Sequence, residues 1–481
     1  MLGFVALYLL ASIGIGLYAA RRVHSTADYA VAGRALPLPM VIATTFATWF
    51  GSETVLGIPA RFAEGGLRET VEDPWGAGLC LILVGLFFAR RLYRLSLLTI
   101  GDYYRDRYGR AVEVFCSAVS VLSYLGWVAA QITALGVVFH ALSDGQISQL
   151  AGALIGMGVV LFYTLLGGMW SVALTDFVQM ILIVLGLTVI AVIAAGQAGG
   201  AGRVLDHVVE HELHHFLPAG DFKSIAFFIG AGVTIMLGSI PQQDVYQRVM
   251  SAKNESIAAT GPVIGGAAYL LFSLVPMFIV ASSLVVMPEE AASRLEQDPQ
   301  QLLPTFVRTQ MPTVMQVLFF GALLSAIMST ASATILAPST IFVENILKNF
   351  APRMSDQQEL RLMRLTVLGF SGCVLAYAMW MHGTSIYDLV SSSYEAPVVG
   401  AFVPLACGLY WKRASNAGAI LSIACGVLTW LLFMFTPLGE AFPRQLAGLI
   451  MAGVGMWVGS LVLPSRESPR GEPTDTSSSK I

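Results

Sequence analysis

The sequence predicts an all-α integral membrane protein with about thirteen transmembrane helices, ten of them forming two inverted sets of five. Three observations carry this expectation: the composition, the placement of lysine and arginine, and two interrupted helices at matching positions. Hydrophobic residues fill 56% of the chain and charged residues 12%, about half the ~25% charge of soluble domains. Apolar runs recur without a long polar block, so residues 1–464 read as one membrane domain. Residues 465–481 are polar and rich in Ser, Pro and Glu and read as a disordered cytoplasmic tail. The five cysteines all lie in apolar runs, as buried single thiols do, and the net charge of −3 gives no reason to expect a nucleic-acid partner.

A helix crosses the hydrocarbon core in about 20 residues. The apolar segments fall at about 2–20, 38–62, 74–95, 111–141, 147–166, 171–195, 222–246, 257–284, 312–345, 360–381, 385–411, 416–436 and 442–463, named below spans one to thirteen. No basic residue precedes the first, so it does not read as a cleaved signal peptide. With the N-terminus outside, twenty of the 27 Lys and Arg lie on the inner side, Arg248 among them, and seven on the outer. Cytoplasmic loops carry the excess of Lys and Arg, so the N-terminus is expected out and the C-terminus in.

Span two carries Thr44-Thr45-Phe46-Ala47-Thr48-Trp49-Phe50-Gly51-Ser52-Glu53-Thr54, then Gly57 and Pro59. Span seven carries Gly238-Ser239-Ile240-Pro241-Gln242-Gln243-Asp244. Unwound backbone at membrane depth is tolerated only where protein or a water-filled cavity satisfies it, and paired interrupted helices mark the binding site of many transporters. These two helices open spans two to six (about 38–195) and seven to eleven (about 222–411), and an odd repeat length inverts the second set. Ordinary Pro and Gly kinks are the competing explanation.

Sodium is a hard cation that prefers oxygen ligands, as calcium and magnesium do. Span nine presents Ser329, Thr330 and Ser332, and a broken span two offers carbonyls opposite them. Small-residue helix packing explains the same hydroxyls. Asp176 in span six is an intramembrane carboxylate, a functional candidate by default, or else a residue capping the Gly167-Gly168 turn. Trp49, Glu53, Thr54, Trp127, Gln242, Gln243 and Asp244 lie near helix centres or breaks and are candidate substrate contacts. Aromatic faces attract organic cations, and Glu53 suits an amino group. Interfacial tryptophans and a structural hydrogen bond at Glu53 are the alternatives. His207, His211, His214 and His215 have partial metal-ligand spacing, but a solvated amphipathic segment explains them without a transition metal.

The phrases Gly33-Arg34-Ala35-Leu36-Pro37, Gly167-Gly168-Met169-Trp170-Ser171-Val172-Ala173-Leu174-Thr175-Asp176-Phe177-Val178-Gln179 and Met328-Ser329-Thr330-Ala331-Ser332 resemble the sodium:solute symporter family across nearly the whole membrane domain. That resemblance implies a LeuT-type fold and Na+ as coupling ion. It implies a sodium site with carbonyls from Ala47, Phe50 and Ala326 and hydroxyls from Ser329 and Thr330, with Asp176 just behind. Asp176 and Ser332 match part of a second ion site found in some members, but Ala333 lacks its third hydroxyl. Ala47-Thr48-Trp49, Leu237-Gly238-Ser239-Ile240-Pro241 and Gln247-Arg248-Val249 resemble the choline-transporting branch. Trp49 and Trp127 match two positions of that branch's aromatic box, whereas Gln242 and Ala77 stand where it has aromatic residues and Glu53 where it has glycine.

The expected function is sodium-coupled import of a small organic solute, an amino acid, amine or related metabolite, by alternating access. The expected setting is a cell membrane, the inner membrane of a bacterium, with lipid around the protein and no obligate protein partner. A transporter-like sensor module and a proton-coupled symporter are the other readings. An enzyme is not expected, since the chain carries no nucleophile motif, metal-ligand set or phosphate loop.

Overall fold

The computed structural model describes residues 2–143, 145–350, 354–381 and 383–464. The tail expected at 465–481 lies outside the described residues. The described chain is helical, joined by short turns and surface helices, with one isolated bridge between Leu36 and Ala252. Among the described residues, eight helices are long and apolar enough to cross a membrane. Two further pairs, Phe222–Gly238 with Gln243–Ser251 and Ile386–Gly400 with Phe402–Tyr410, bend by 47° at a short break. Leu38–Trp49 and Ala6–Ala20 are shorter apolar helices.

Span nine, Thr313–Asn345, is the central rod. Its residues from Phe319 to Ile341 are all buried, as expected of a helix apolar on every side. It packs against span four, Arg110–Leu142, and against the long helix Gln149–Gln197. The peripheral helices instead bare one face: Leu7, Leu271, Leu428 and Val462 are all exposed. Without water outside, apolar residues on that face need no burial.

Spans five and six are not separated by a loop. They form the single element Gln149–Gln197, interrupted where Gly168 takes φ 48° and ψ −139°. Tyr29, on the short helix Thr26–Val31, seals this corner and donates from its hydroxyl to the Thr164 carbonyl at 3.2 Å. A Cβ on Gly168 would stand 2.4 Å from the Tyr29 carbonyl oxygen, so glycine is required by both the dihedral and the close approach. The turn sets where the following helix starts, and so where Asp176 points.

Span two breaks as its sequence suggests. Leu38–Trp49 ends when Phe50 leaves helical geometry at φ −91° and ψ 68°, and the chain resumes through a wide turn at Glu53–Gly57 into Ile58–Gly65. Span seven breaks between Gly238 and Gln243. Span eleven breaks too, into Ile386–Ser393, Glu395–Gly400 and Phe402–Tyr410, and the sequence reading had treated it as continuous.

Both ends of the bundle are closed over these breaks. At one end Arg61 pairs with Asp388, and the Ile386 amide donates to Gln300 Oε1 at 2.8 Å. At the other, Arg105 meets Asp102 at 2.9 Å and Glu113 at 3.2 Å, and Asn345 donates to both carboxylates.

Replacing Gly168 by Ala is expected to cost about 1–3 kcal/mol from the left-handed dihedral, plus the clash with Tyr29. Thermal unfolding of the purified protein should show a clearly lower Tm. Gly158→Ala, where a Cβ meets nothing within 4 Å, should leave Tm unchanged.

Candidate functional site

The breaks of spans two and seven face each other beside spans four, six, nine and eleven. Unwinding frees backbone groups, and in a membrane each needs a partner. At span two the Thr330 hydroxyl donates to the Thr48 carbonyl at 2.8 Å and lies 3.5 Å from the Ala47 carbonyl. The Thr54 hydroxyl donates to the Trp49 carbonyl at 3.1 Å, and the Ser52 amide donates to Gln131 Oε1 at 3.0 Å. Gly51 sits where a Cβ would stand 2.6 Å from both Thr330 Oγ1 and Glu53 Oε2. The break is thus stitched to spans four and nine by side chains.

This brings several of the proposed ion ligands together. Ser329 donates to Asp176 Oδ1 at 2.6 Å, and Thr44 donates to Asp176 Oδ2 at 2.5 Å. Asp176 therefore joins spans two, six and nine at one point. Ala47, Phe50, Ala326, Ser329, Thr330 and Asp176 are all fully buried, and Ala326 lies one turn before Thr330 on the same helix. The arrangement offers neutral and anionic oxygens with no competing soft ligand, a donor set suited to a hard cation. The Ser332 hydroxyl, also buried, donates to the Ser329 carbonyl at 2.9 Å.

Arg248 is the residue that sequence reasoning misplaced. It was counted as an inner-surface charge, yet it is 1% exposed. Its Nε donates to Thr48 Oγ1 at 3.0 Å and to the Thr44 carbonyl at 3.3 Å, and Nη1 donates to the Asp244 carbonyl at 2.5 Å. Nη2 also reaches Thr48 Oγ1. One guanidinium thus ties the break of span two to that of span seven. The family-like phrase Gln247-Arg248-Val249 was the available signal.

Aromatic rings line the space between the breaks. Trp49 and Trp127 have centroids 5.2 Å apart, Trp49 and Tyr394 6.0 Å, Trp127 and Tyr394 5.6 Å, and Tyr124 and Trp127 6.1 Å. Tyr124 lies one helical turn from Trp127, a spacing legible in sequence. Tyr394 sits at the turn between Ile386–Ser393 and Glu395–Gly400, before the 47° bend of span eleven.

The polar candidates divide. Glu53 accepts from Trp127 Nε1 at 3.1 Å and from Gln131 Nε2 at 2.7 Å, so both its oxygens are held by span four. Gln242 donates to Ser123 Oγ at 2.7 Å. Asp244 accepts from the Tyr124 hydroxyl at 2.5 Å, while its amide donates back to that oxygen at 2.9 Å. Thr54 also contacts the Tyr269 hydroxyl at 3.1 Å, and that hydroxyl donates to Asp73. Gln243 is tied on one side only: its Oε1 accepts from the Ile100 amide at 2.9 Å, at the start of the helix Ile100–Tyr108, while its Nε2 has no partner among the described residues. A helix start has free N–H groups, and Gln243 fills one of them. The four histidines lie on and after the surface helix Ala201–Glu210, and among the described residues no group of three metal-ligating side chains forms.

Replacing Arg248 by Met should remove the tie between the breaks and leave buried acceptors unmet. The expected loss is about 3–5 kcal/mol, read as a lower Tm. Adding Asp176→Asn should restore part of it, so that the two changes are non-additive.

The comparisons with known proteins agree with this geometry. The model of the sodium:solute symporter family matches residues 29–426. The high-affinity choline transporter 1 of Caenorhabditis elegans is 26% identical over 457 residues, covering 89% of this chain and 77% of that protein. A structure of a Na+-coupled sialic acid symporter in a substrate-bound outward-open state superposes with a TM-score of 0.84 at 19% identity, over 97% of this chain and 98% of that one. Mhp1, a nucleobase-cation-symport-1 family transporter, superposes at 0.60 with 15% identity, over 92% and 96%. The fold is therefore of the LeuT type, a multi-pass transporter architecture. The chain belongs to the sodium:solute symporter family, and it is a sodium-coupled symporter of a small solute.

Proposed function

We propose that the coupling sodium binds where span nine meets the break of span two, held by the carbonyls of Ala47, Phe50 and Ala326 and the hydroxyls of Ser329 and Thr330. Asp176 stands behind it and supplies the negative charge. The observation that carries this reading is the joint of three helices at Asp176, with Thr330 already 3.5 Å from the Ala47 carbonyl. The solute, an amino acid, amine or related metabolite, sits between the breaks against Trp49, Trp127, Thr54, Glu53 and Gln242. Tyr124, Tyr394 and Asp244 complete its surroundings.

Coupling follows from differential binding. An ion that joins span two to span nine stabilises one arrangement of the break over the other. It thereby raises affinity for a solute that prefers the same arrangement. The unwound segment lies between the two sites, so its geometry is shared by both. Repeat one covers about 38–195 and repeat two about 222–411. Thirteen crossings with the N-terminus outside give import into the cell. The asymmetry of Lys and Arg supports that orientation and survives the reassignment of Arg248 to the interior. A bacterial inner membrane, with lipid around the protein and no obligate protein partner, completes the reading.

Sodium titrated alone should raise the Tm of the purified protein, because a ligand bound only to the folded state stabilises it. Ser329→Ala and Thr330→Ala should each raise the half-saturating sodium concentration by roughly five- to tenfold, the loss expected of one oxygen ligand worth about 1–1.5 kcal/mol. Sodium affinity unchanged in both variants would place the ion elsewhere.

A further inference from the structure

Charge around the two breaks is unbalanced. Glu53, Asp73, Asp176 and Asp244 are all buried there, and Arg248 is the one buried cation beside them among the described residues. The hydrogen bonds rank these acids. Both oxygens of Asp176 take hydroxyl donors from Ser329 and Thr44, and both oxygens of Glu53 are held by Trp127 and Gln131. Asp73 accepts from Tyr269. Asp244 differs: Oδ1 accepts from Tyr124, while Oδ2 has no partner among the described residues. Arg248, one turn on, attracts the carboxylate through space but makes no hydrogen bond to it among the described residues: its Nη1 donates to the backbone carbonyl of Asp244.

Asp244 Oδ2 is not alone. Gln242 Oε1, Ser239 Oγ, the Tyr394 hydroxyl and Trp49 Nε1 also lack partners, and all five residues are at most 2% exposed. They flank the break of span seven and the aromatic cluster. Trp49 and Tyr394 are stacked with centroids 6.0 Å apart, and a Cβ on Gly238 would stand 2.5 Å from the Tyr394 carbonyl. Unmet polar groups in a protein interior each cost about 1–3 kcal/mol. Water can satisfy hydroxyls and amides, but a carboxylate in the low dielectric of the membrane interior also needs a counter-charge. Tyr124, which bonds to Asp244, belongs to one cluster of rings with Trp127, Trp49 and Tyr394, and aromatic faces favour a cation.

We propose that the transported solute is a protonated primary or secondary amine that also carries an oxygen acceptor, and that Asp244 is its counter-charge. This rests on the solute position given above. One N–H of the ammonium meets Asp244 Oδ2 and another meets Gln242 Oε1. A quaternary ammonium has no such hydrogens, so it would leave both acceptors unmet. At the solute's other end, Trp49 Nε1 and the Tyr394 hydroxyl donate to its oxygen. Glu53, with both oxygens already taken, organises span four and the break and is not the counter-charge.

The test uses matched pairs on the full-length purified protein, with and without sodium: ethanolamine against choline, and sarcosine against glycine betaine, with ethylene glycol as the uncharged control. Thermal stabilisation in sodium should appear with at least one of the two amines. Its quaternary partner should bind roughly tenfold or more weakly, the value of a charge-assisted hydrogen bond, and ethylene glycol should have no effect. Asp244→Asn should weaken the amine by a similar factor while the sodium-only shift persists. Quaternary partners that bind as well as the amines, no response to either amine, or an Asp244→Asn affinity equal to the parent would each overturn the proposal. The pair comparison needs no variant, so a misfolded Asp244→Asn does not block it. A missing sodium-only shift counts against the ion site; a normal sodium shift with failed amine discrimination counts against Asp244.

Discussion

An unwound helix inside a membrane survives only if something other than water meets its backbone. That requirement shapes the centre of this protein. The Thr330 hydroxyl, Thr54 hydroxyl and Gln131 amide oxygen each take a backbone group freed where Phe50 leaves the helix. These partners come from spans nine, two and four, so the break forms only when those helices are assembled around it. Gly51 has no room for a side chain because Thr330 and Glu53 close on it. The same crowding that satisfies the backbone also gathers oxygens at one place, which is where the cation site is proposed.

Arg248 extends this logic across the pseudo-symmetric pair. A guanidinium has five donors in a fixed plane, enough to serve the Thr44 carbonyl, the Thr48 hydroxyl and the Asp244 carbonyl together. Its burial is costly on its own, and Asp176 and Asp244 on either side are costly on theirs. Together they form a polar spine through an apolar bundle. Small movements of one break must be felt at the other through this side chain, because guanidinium bonds have little slack. An ion at span two and a solute at span seven, as proposed above, would be coupled through this side chain.

The two ends of the bundle contrast with this centre. Arg61 with Asp388 is a partly exposed pair, and exposed ion pairs are individually weak. Arg105 is half exposed but meets the buried carboxylates of Asp102 and Glu113, which Asn345 also holds. One end is thus held by a contact that water can replace, the other by a partly buried cluster.

Sequence alone determined the membrane class, the order of the apolar segments and the breaks in spans two and seven. Each is a local property: apolar runs of span length, or Gly, Pro and polar residues where a helix needs none. Ser329, Thr330 and Asp176 were legible for the same reason, as oxygens where hydrocarbon chemistry has no use for them. The tertiary structure decided what depends on direction. Gln243 and Asp244 are neighbours in sequence, yet the Gln243 amide oxygen takes the first amide of the helix Ile100–Tyr108, while Asp244 meets Tyr124 and leaves its other oxygen unmet. The Ser332 hydroxyl donates back to the Ser329 carbonyl, a direction that its residue type does not fix. Arg248 looked like a surface charge because charge counting has no depth. Tyr394 joined the ring cluster only through packing: it lies at a turn within Ile386–Gly400, ahead of the bend of span eleven. Which residues are polar in a membrane is written in the chain; which of them face one another is set only when the helices pack.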